Sequence, residues 1–191
     1  MTDEANDTYQ IADTDGALAE LAVAVRSVPA NVLDGVAARL TRARKIAAYA
    51  GGREGLVLRG LVMRLFHAGL DAHYVGEMTV PHVGEGDMLV LSCGPGDISM
   101  VEALAGVAHR AGAQILYFTA EPDRSPAQLA DQVVVIDAQT MANDSGSPAV
   151  LPMGSGYEIA LFLLVDLITN RVRATRQETP EIMRGRHTNL E

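Results

Sequence analysis

Short apolar runs alternate with helix-length segments along most of this chain, and this alternation constrains the fold more than any other feature. Buried strands are predicted at 45–50, 72–75, 88–91, 115–119 and 133–136. Between several of them, apolar residues recur at helical spacing, which predicts helices at 54–68, 99–110 and 126–130. Because parallel neighbours need a crossover connection, the alternation indicates an α/β fold whose parallel sheet has helices on both faces.

Further helices are predicted outside the alternating region, at 11–28 and 31–41 before the first strand and at 157–173 after the last. The last of these is apolar nearly all round, so part of its surface is expected to be covered by another copy of the chain. The segment 138–154 is rich in Ser, Gly, Pro and Asn and predicts a long loop of the kind that is often functional. All 191 residues are assigned to one domain, 1–191.

Composition excludes several classes of partner. The chain has 24 acidic and 15 basic residues and a formal net charge of -9, so neither nucleic acid nor an anionic membrane is an expected partner. A lone cysteine, Cys93, excludes an internal disulfide and fits a reducing compartment. The N-terminus lacks a signal-peptide pattern, and the apolar stretch 159–168 is too short to span a bilayer. We therefore expect a cytoplasmic protein, with residues 1–8 disordered.

The turn AGGREG at 50–55 follows the first predicted strand, at the sheet edge where such folds bind ligands. It resembles the glycine-rich dinucleotide pattern with alanine in the first position. That pattern requires an acidic residue about 20 positions further on, and Glu77 falls somewhat late. A dinucleotide site therefore remains an alternative at this turn.

A second turn, SCGPGDIS at 92–99, joins a buried strand to a helix and offers backbone N–H groups to an anion. Ser99 could donate a hydroxyl to the ligand or simply cap the helix, and Asp97 could complete a cap. Cys93 beside a helix start could be an activated thiol, or a small residue chosen for packing. These alternatives remain open from the residues alone.

Four stretches carry a resemblance to a known family: GGREG with the following VMRLFHAG, HYVGEMTVP, LPMGSGYEIA and the terminal RHTNLE. In order and spacing they resemble the sugar isomerase (SIS) domain, and within it the 6-phospho-3-hexuloisomerase family. The resemblance implies a three-layer αβα fold with a five-stranded parallel sheet, of the flavodoxin or Rossmann-like kind. It also implies a homotetramer that interconverts a 3-ketohexose 6-phosphate and fructose 6-phosphate through a cis-enediol, without metal or other cofactor.

The resemblance assigns two catalytic residues. Glu158 matches the family's catalytic glutamate, although a glutamate in a first helical turn is also expected from the helix dipole alone. His187 matches a C-terminal histidine that is expected to help open the sugar ring in the site of a neighbouring subunit, which the tail 177–191 would reach. Otherwise His187 is an exposed tail residue. His67 also matches, but a histidine on an apolar helix is more often a packing residue.

The expected substrate-binding residues lie mainly in the two turns and before the last helix: Gly52, Arg53, Glu54, Glu77, Cys93, Gly94, Gly96, Asp97, Ser99 and Ser155. The family's phosphate turns typically read GRGRSG and SGSGET. Here Glu54, Cys93, Pro95 and Ile98 stand where the family has hydroxyl residues.

Glu54 introduces a negative charge where phosphate is expected. Two unit charges 4 Å apart repel by roughly 1–4 kcal/mol in water to protein-surface dielectrics. The sequence therefore predicts weakened phosphate binding in a degenerate phosphate loop. An isomerase of an unphosphorylated sugar, and a non-catalytic carbohydrate-binding or regulatory module, are the alternatives.

Overall fold

A computed structural model describes residues 14–144 and 149–190. In chain order its elements are α1 (Thr14–Arg26), α2 (Ala30–Arg42), β1 (Ile46–Ala50), α3 (Gly52–His67), β2 (Ala72–Tyr74), β3 (Met88–Ser92), α4 (Ser99–Arg110), β4 (Gln114–Thr119), α5 (Ser125–Gln128), β5 (Gln132–Val135), α6 (Ser155–Thr175) and α7 (Pro180–Gly185). The expectation of disorder at 1–8 and part of the predicted loop, 145–148, lie outside the described residues.

The five strands form one parallel sheet in the order β2-β1-β3-β4-β5. The predicted α/β class and five-stranded parallel sheet are therefore confirmed. The central strand β3, with the sequence MLVLS, is buried at every position. A continuous apolar run of this kind is expected where helices cover both faces of a strand.

Alternate residues of β1 supply two separate cores. Ile46, Ala48 and Ala50 belong to a core shared with α1, α2, α3 and α6, and Ala47 belongs to a smaller core shared with α4. This division follows from the period of two along a strand, which sends successive side chains to opposite faces. The apolar helix α6 packs against α1, α2 and α3 and fills one layer of the sandwich.

The predicted elements agree closely with those observed, and the main differences lie at glycines and in the tail. α4 has the predicted bounds, 99–110, whereas α3 begins at Gly52, two residues before the predicted start. Gly52 has φ of +54°, a backbone conformation that glycine adopts without steric cost. Gly51 and Gly52 thus turn the chain sharply from β1 into the first turn of α3.

The C-terminal tail contains a helix that was not predicted. Thr179 caps α7 by accepting a hydrogen bond from the Ile182 N–H at 3.3 Å. Arg186 donates to the carbonyl of His67 at 2.7 Å and pairs with Glu178, whose pKa it lowers. The tail thus packs against the C-terminal end of α3 of its own chain. Its contact with a neighbouring subunit stays a prediction.

Within the described ranges, no single helix is long and apolar enough to cross a membrane. α1 and α2 satisfy that test only as a pair, and a 65° bend separates them.

The first turn of α3 lies unusually close to β1. A Cβ on Gly55 would be 2.6 Å from the Ala50 carbonyl oxygen and 2.8 Å from the Tyr74 hydroxyl. That hydroxyl already donates to the same Ala50 oxygen at 2.8 Å. Neither group can move without losing a buried hydrogen bond, so this position requires glycine.

We predict that Gly55→Ala lowers the free energy of unfolding by about 1–3 kcal/mol, because the added methyl overpacks the helix–strand contact. Gly60→Ala on the same helix is the matched control, since its Cβ would meet only Phe162 at 3.8 Å. There we expect a gain of about 0.5–1 kcal/mol from helix propensity. Urea unfolding measures both values, and equal effects of the two substitutions would contradict the close approach at Gly55.

Candidate functional site

A cavity of about 420 Å³ opens at the carboxyl ends of β1 and β3. It is lined by residues 51–54, 94–95, 97–98, 140–142, 153–154 and 157–158. The structure therefore brings together the two glycine turns, the start of α6 and part of the predicted 138–154 loop. Of the predicted site residues, Gly52, Arg53, Glu54, Gly94, Asp97 and Glu158 line this cavity.

The Glu54 side chain bridges the two turns. It is only 8% exposed, and its carboxyl accepts hydrogen bonds from the Gly94 N–H at 2.9 Å and from the Ser92 hydroxyl at 2.5 Å. Burial raises its pKa, the two donors oppose the rise, and the nearby Glu158 adds to it. The protein itself thus provides donors for this carboxyl.

Tyr157 continues the network beneath Glu54. Its hydroxyl lies 3.1 Å from Ser92 Oγ, and its ring leaves room only for glycine at position 94, where a Cβ would lie 2.9 Å from the ring. Burial raises the Tyr157 pKa well above its usual value, so the hydroxyl stays protonated. The end of β3, the second turn and α6 are therefore fixed relative to one another around Glu54.

Glu158 and Arg53 form an ion pair at one side of the cavity. Arg53 Nη1 is 2.8 Å from Glu158 Oε2 and donates to Ser155 Oγ at 3.0 Å. The Glu158 oxygen is buried and accepts no well-directed hydrogen bond from the described residues. Burial raises the Glu158 pKa, and the Arg53 charge opposes the rise. A carboxylate that is partly desolvated and free to accept a proton can serve as a general base.

Most polar groups of the second turn already have partners within the protein or lie on its surface. Cys93 is buried, and burial together with Glu54 raises the pKa of its thiol to about 12, which is the opposite of activation. Gly96 is buried, and its carbonyl accepts from Tyr117 at 2.8 Å. Ser99 is the exposed first residue of α4, and no side chain caps this helix at Ile98. Asp97 pairs with Arg124 at 3.5 Å.

Three other residues from the sequence analysis lie away from the cavity of this chain. Glu77 is exposed beyond the end of β2. His187 packs against His67, with 5.1 Å between the ring centroids, at the C-terminal end of α3. Arg53 is fourteen residues earlier on that helix, which at 1.5 Å per residue is about 21 Å away. A single chain therefore does not bring His187 to Glu158.

Ser92 and Tyr157 were not predicted as supports of the site. Thr140, Met141 and Met153, which lie in the predicted 138–154 loop and line the cavity, were not predicted as site residues either. Ser92 ends a buried strand, where a polar side chain needs a partner, and that signal could have identified it.

Comparison with known proteins identifies the family, although no family model matches the chain. The 3-hexulose-6-phosphate isomerase of Mycobacterium gastri is 35% identical over 82% of this chain and 78% of that protein. The Bacillus subtilis enzyme of the same name is 29% identical over 83% and 86%. The chain belongs to the 3-hexulose-6-phosphate isomerase family.

A solved structure supports the same assignment. A Methanococcus jannaschii protein, for which the function of 3-hexulose-6-phosphate isomerase was inferred, is 25% identical with a TM-score of 0.81. The match covers 93% of this chain and 98% of that one. Membership of the 3-hexulose-6-phosphate isomerase family places the protein among sugar-phosphate isomerases, as the sequence resemblance predicted. The relatives give no support to the dinucleotide alternative.

We predict that replacing Glu54 by glutamine changes stability in a pH-dependent way. The folded-state pKa of Glu54 is raised above 4.5, so protonated Glu54 favours the folded state. This contribution is complete below the unfolded pKa and is lost as pH rises through the folded pKa. The free energy of unfolding of the wild type, minus that of Glu54→Gln, should therefore fall with rising pH.

Urea unfolding of both proteins between about pH 4 and 8 measures this difference. Glutamine can accept from Gly94 and donate to Ser92, so the network is preserved and only the ionisation is removed. A difference that is constant or that rises with pH would contradict a buried Glu54 carboxyl with a raised pKa.

Proposed function

We propose that the protein interconverts a 3-ketohexose 6-phosphate and fructose 6-phosphate, with Glu158 as the base. The observation that carries this proposal is the Glu158 carboxylate in the cavity at the carboxyl ends of the strands. Its side chain is 16% exposed, burial raises its pKa, and a guanidinium lies 2.8 Å away. The relatives named as 3-hexulose-6-phosphate isomerases support the choice of substrate pair.

The reaction moves a carbonyl between C2 and C3. Glu158 takes the proton from the carbon beside the carbonyl, the C–H electrons form the C2–C3 double bond, and the carbonyl oxygen takes up a proton or negative charge. The proton then returns to the former carbonyl carbon. The hydroxyl on the neighbouring carbon loses its proton, and that carbon becomes the carbonyl of the product ketose.

The remaining walls of the cavity suit a base that works on a weak carbon acid. Ile98, Met141 and Met153 provide apolar surface, which limits water around the reacting carbons. Partial desolvation also raises the Glu158 pKa from its ordinary value, and this makes the carboxylate a stronger base.

We predict that Glu158→Gln reduces turnover by about 10³-fold or more, because the amide cannot accept the proton. The measurement is proton NMR of fructose 6-phosphate in D2O, in which wild-type enzyme should exchange the hydrogen on C3. Asp166→Asn on the same helix is the control, since Asp166 is partly exposed and pairs with Arg64 at 3.5 Å. A Glu158→Gln protein that exchanges C3 at the wild-type rate would exclude Glu158 as the base.

An exposed apolar surface lies beside the site on α3 and α6. Its members are 38–68% exposed: Leu56, Met63, Phe66, Ile159, Phe162 and Leu163. A groove of about 240 Å³ joins this surface directly to the Arg53–Glu158 pair. Contiguous apolar surface of this kind is typical of an interface. We propose that a second copy of the chain covers it, as one interface of a cytoplasmic homotetramer with no nucleic-acid or membrane partner.

The position of His187 supports this arrangement. The apolar surface runs along α3 from near Arg53 to near His67, and His187 lies at the His67 end. A twofold axis that crosses the middle of the surface perpendicular to α3 would pack the two α3 helices antiparallel. The His67 end of one copy would then lie beside Arg53 of the other, so His187 of a second copy would approach Glu158.

A mixing experiment tests the shared site. We predict that Glu158→Gln and His187→Ala are each nearly inactive, and that coexpressing them restores about one quarter of wild-type activity, because half of random pairs contain one intact site of two. C3 exchange of fructose 6-phosphate measures the activity. An active His187→Ala protein, or a mixture no more active than its components, would contradict a site shared between copies.

A further inference from the structure

The charges around the cavity are unevenly placed. Glu54 lies at the second-turn end, and Asp97 lies at the same end beside its partner Arg124. Arg53 is the one basic residue among those that line the cavity in the described part of the chain. Glu54 has no basic partner among the described residues, whereas Arg53 offsets the charge of Glu158, so a phosphate dianion is favoured at the Arg53 end over the second-turn end.

The turn at 92–96 has few donors left for an anion. The Gly94 N–H and the Ser92 hydroxyl both donate to Glu54. Pro95 has no N–H, and the Gly96 N–H donates to the Cys93 carbonyl at 3.0 Å. Glu54 thus occupies, as a covalently attached carboxyl, the position at which this turn would hold a ligand anion.

Arg53 has hydrogen-bond donors that are available to a ligand. Nη1 contacts Glu158 and Ser155, whereas Nε and Nη2 make no hydrogen bond or ion pair with the described residues. The side chain is 62% exposed, so a ligand can reach it while Nη1 stays beside Glu158. The Nε and Nη2 groups form a planar fork that matches two oxygens of a phosphate.

We propose that Arg53 binds the substrate's phosphate through Nε and Nη2, and that Glu54 excludes phosphate from the 92–96 turn. This inference rests on the proposed function and adds the location of the phosphate. One guanidinium then contacts the phosphate on one side and the base Glu158 on the other. Arg53 is thereby a specificity-determining residue for phosphorylated ketoses.

This geometry couples substrate recognition to the base. Arg53 holds down the Glu158 pKa in the free protein. A bound phosphate shares the Arg53 charge, so Glu158 becomes more basic when a phosphorylated substrate is present. Binding of a remote group thus contributes to the chemical step as well as to affinity.

The test compares C3 exchange of fructose 6-phosphate and fructose in the wild type, Arg53→Gln, Arg53→Lys and Arg64→Gln. We expect a wild-type preference for the phosphate, as a ratio of kcat/KM, of about 100-fold or more. Arg53→Gln should reduce this ratio to less than about 10, and Arg53→Lys should restore part of it because the charge returns without the fork. Arg64→Gln, on the same helix but paired with Asp166, should leave the ratio unchanged.

Glu54→Ser is the second arm. It removes the internal carboxyl and frees the Gly94 N–H, so phosphate gains a position at the second turn. The KM for fructose 6-phosphate should fall, and Arg53→Gln should cost less in the Glu54→Ser background than alone. Additive effects of the two substitutions would contradict the role given to Glu54.

Binding measured without turnover separates this inference from the proposed function. In Glu158→Gln, calorimetry with fructose 6-phosphate should give a Kd that rises at least about tenfold when Arg53→Gln is added. If fructose 6-phosphate binds in an Arg53-dependent way but neither the wild type nor any variant exchanges its C3 hydrogen, the isomerase function is refuted and the phosphate site is retained. C3 exchange that depends on Glu158 would retain the isomerase. If the kcat/KM ratio of fructose 6-phosphate to fructose is then about 1, or if Arg53→Gln leaves the ratio unchanged, the proposed phosphate site is overturned.

Discussion

The buried Glu54 carboxyl is the interaction on which the geometry of the site depends. It comes from the first turn of α3, where a helix dipole favours a negative charge, and it is bound by Gly94 and Ser92 at the end of β3. Ser92 also contacts Tyr157 in the first turns of α6. Three elements that are distant in the chain therefore meet at one side chain, and the cavity lies between them. Since burial disfavours the ionised form, those donors are required for the arrangement to be stable.

Filling the turn with a protein carboxyl changes the electrostatics of the whole cavity. Negative charge is concentrated at the second-turn end, and the guanidinium of Arg53 is left beside Glu158. Burial raises the pKa values of Cys93 and Tyr157 and the same carboxyl adds to the rise, which makes both of these groups inert as proton donors or nucleophiles. Of the ionisable groups around the cavity, Glu158 combines a raised pKa with access to a ligand. These shifts favour Glu158 as the base of the proposed reaction.

The fold could be predicted from the sequence because its signals are local. Each strand is a short apolar run, the longer helices show apolar residues at helical spacing, and the order of elements restricts the topology to a parallel sheet. The location of the site follows as well, since ligands bind at the carboxyl ends of such strands. The orientation of Glu54 could not be predicted, because its partners Ser92 and Gly94 are distant in the sequence and no local pattern brings them close to it. From the sequence, the Glu54 charge was therefore expected to lie where a ligand phosphate binds, whereas in the structure its carboxyl is bound by groups of the protein.

The Arg53–Glu158 pair and the position of His187 also depend on contacts between distant parts of the chain, which no local sequence pattern predicts. The pair joins residues 53 and 158 across two helices that pack together, and only the tertiary contact of α3 with α6 brings them within 2.8 Å. His187 is held at the far end of α3 by the contacts of Arg186 with Glu178 and His67, none of which has a local sequence signature. Within one chain, α3 therefore separates Glu158 from His187 by nearly its full length. The proposed pairing of two copies across the exposed apolar surface would bring these two residues together, because that surface runs along α3 between its two ends.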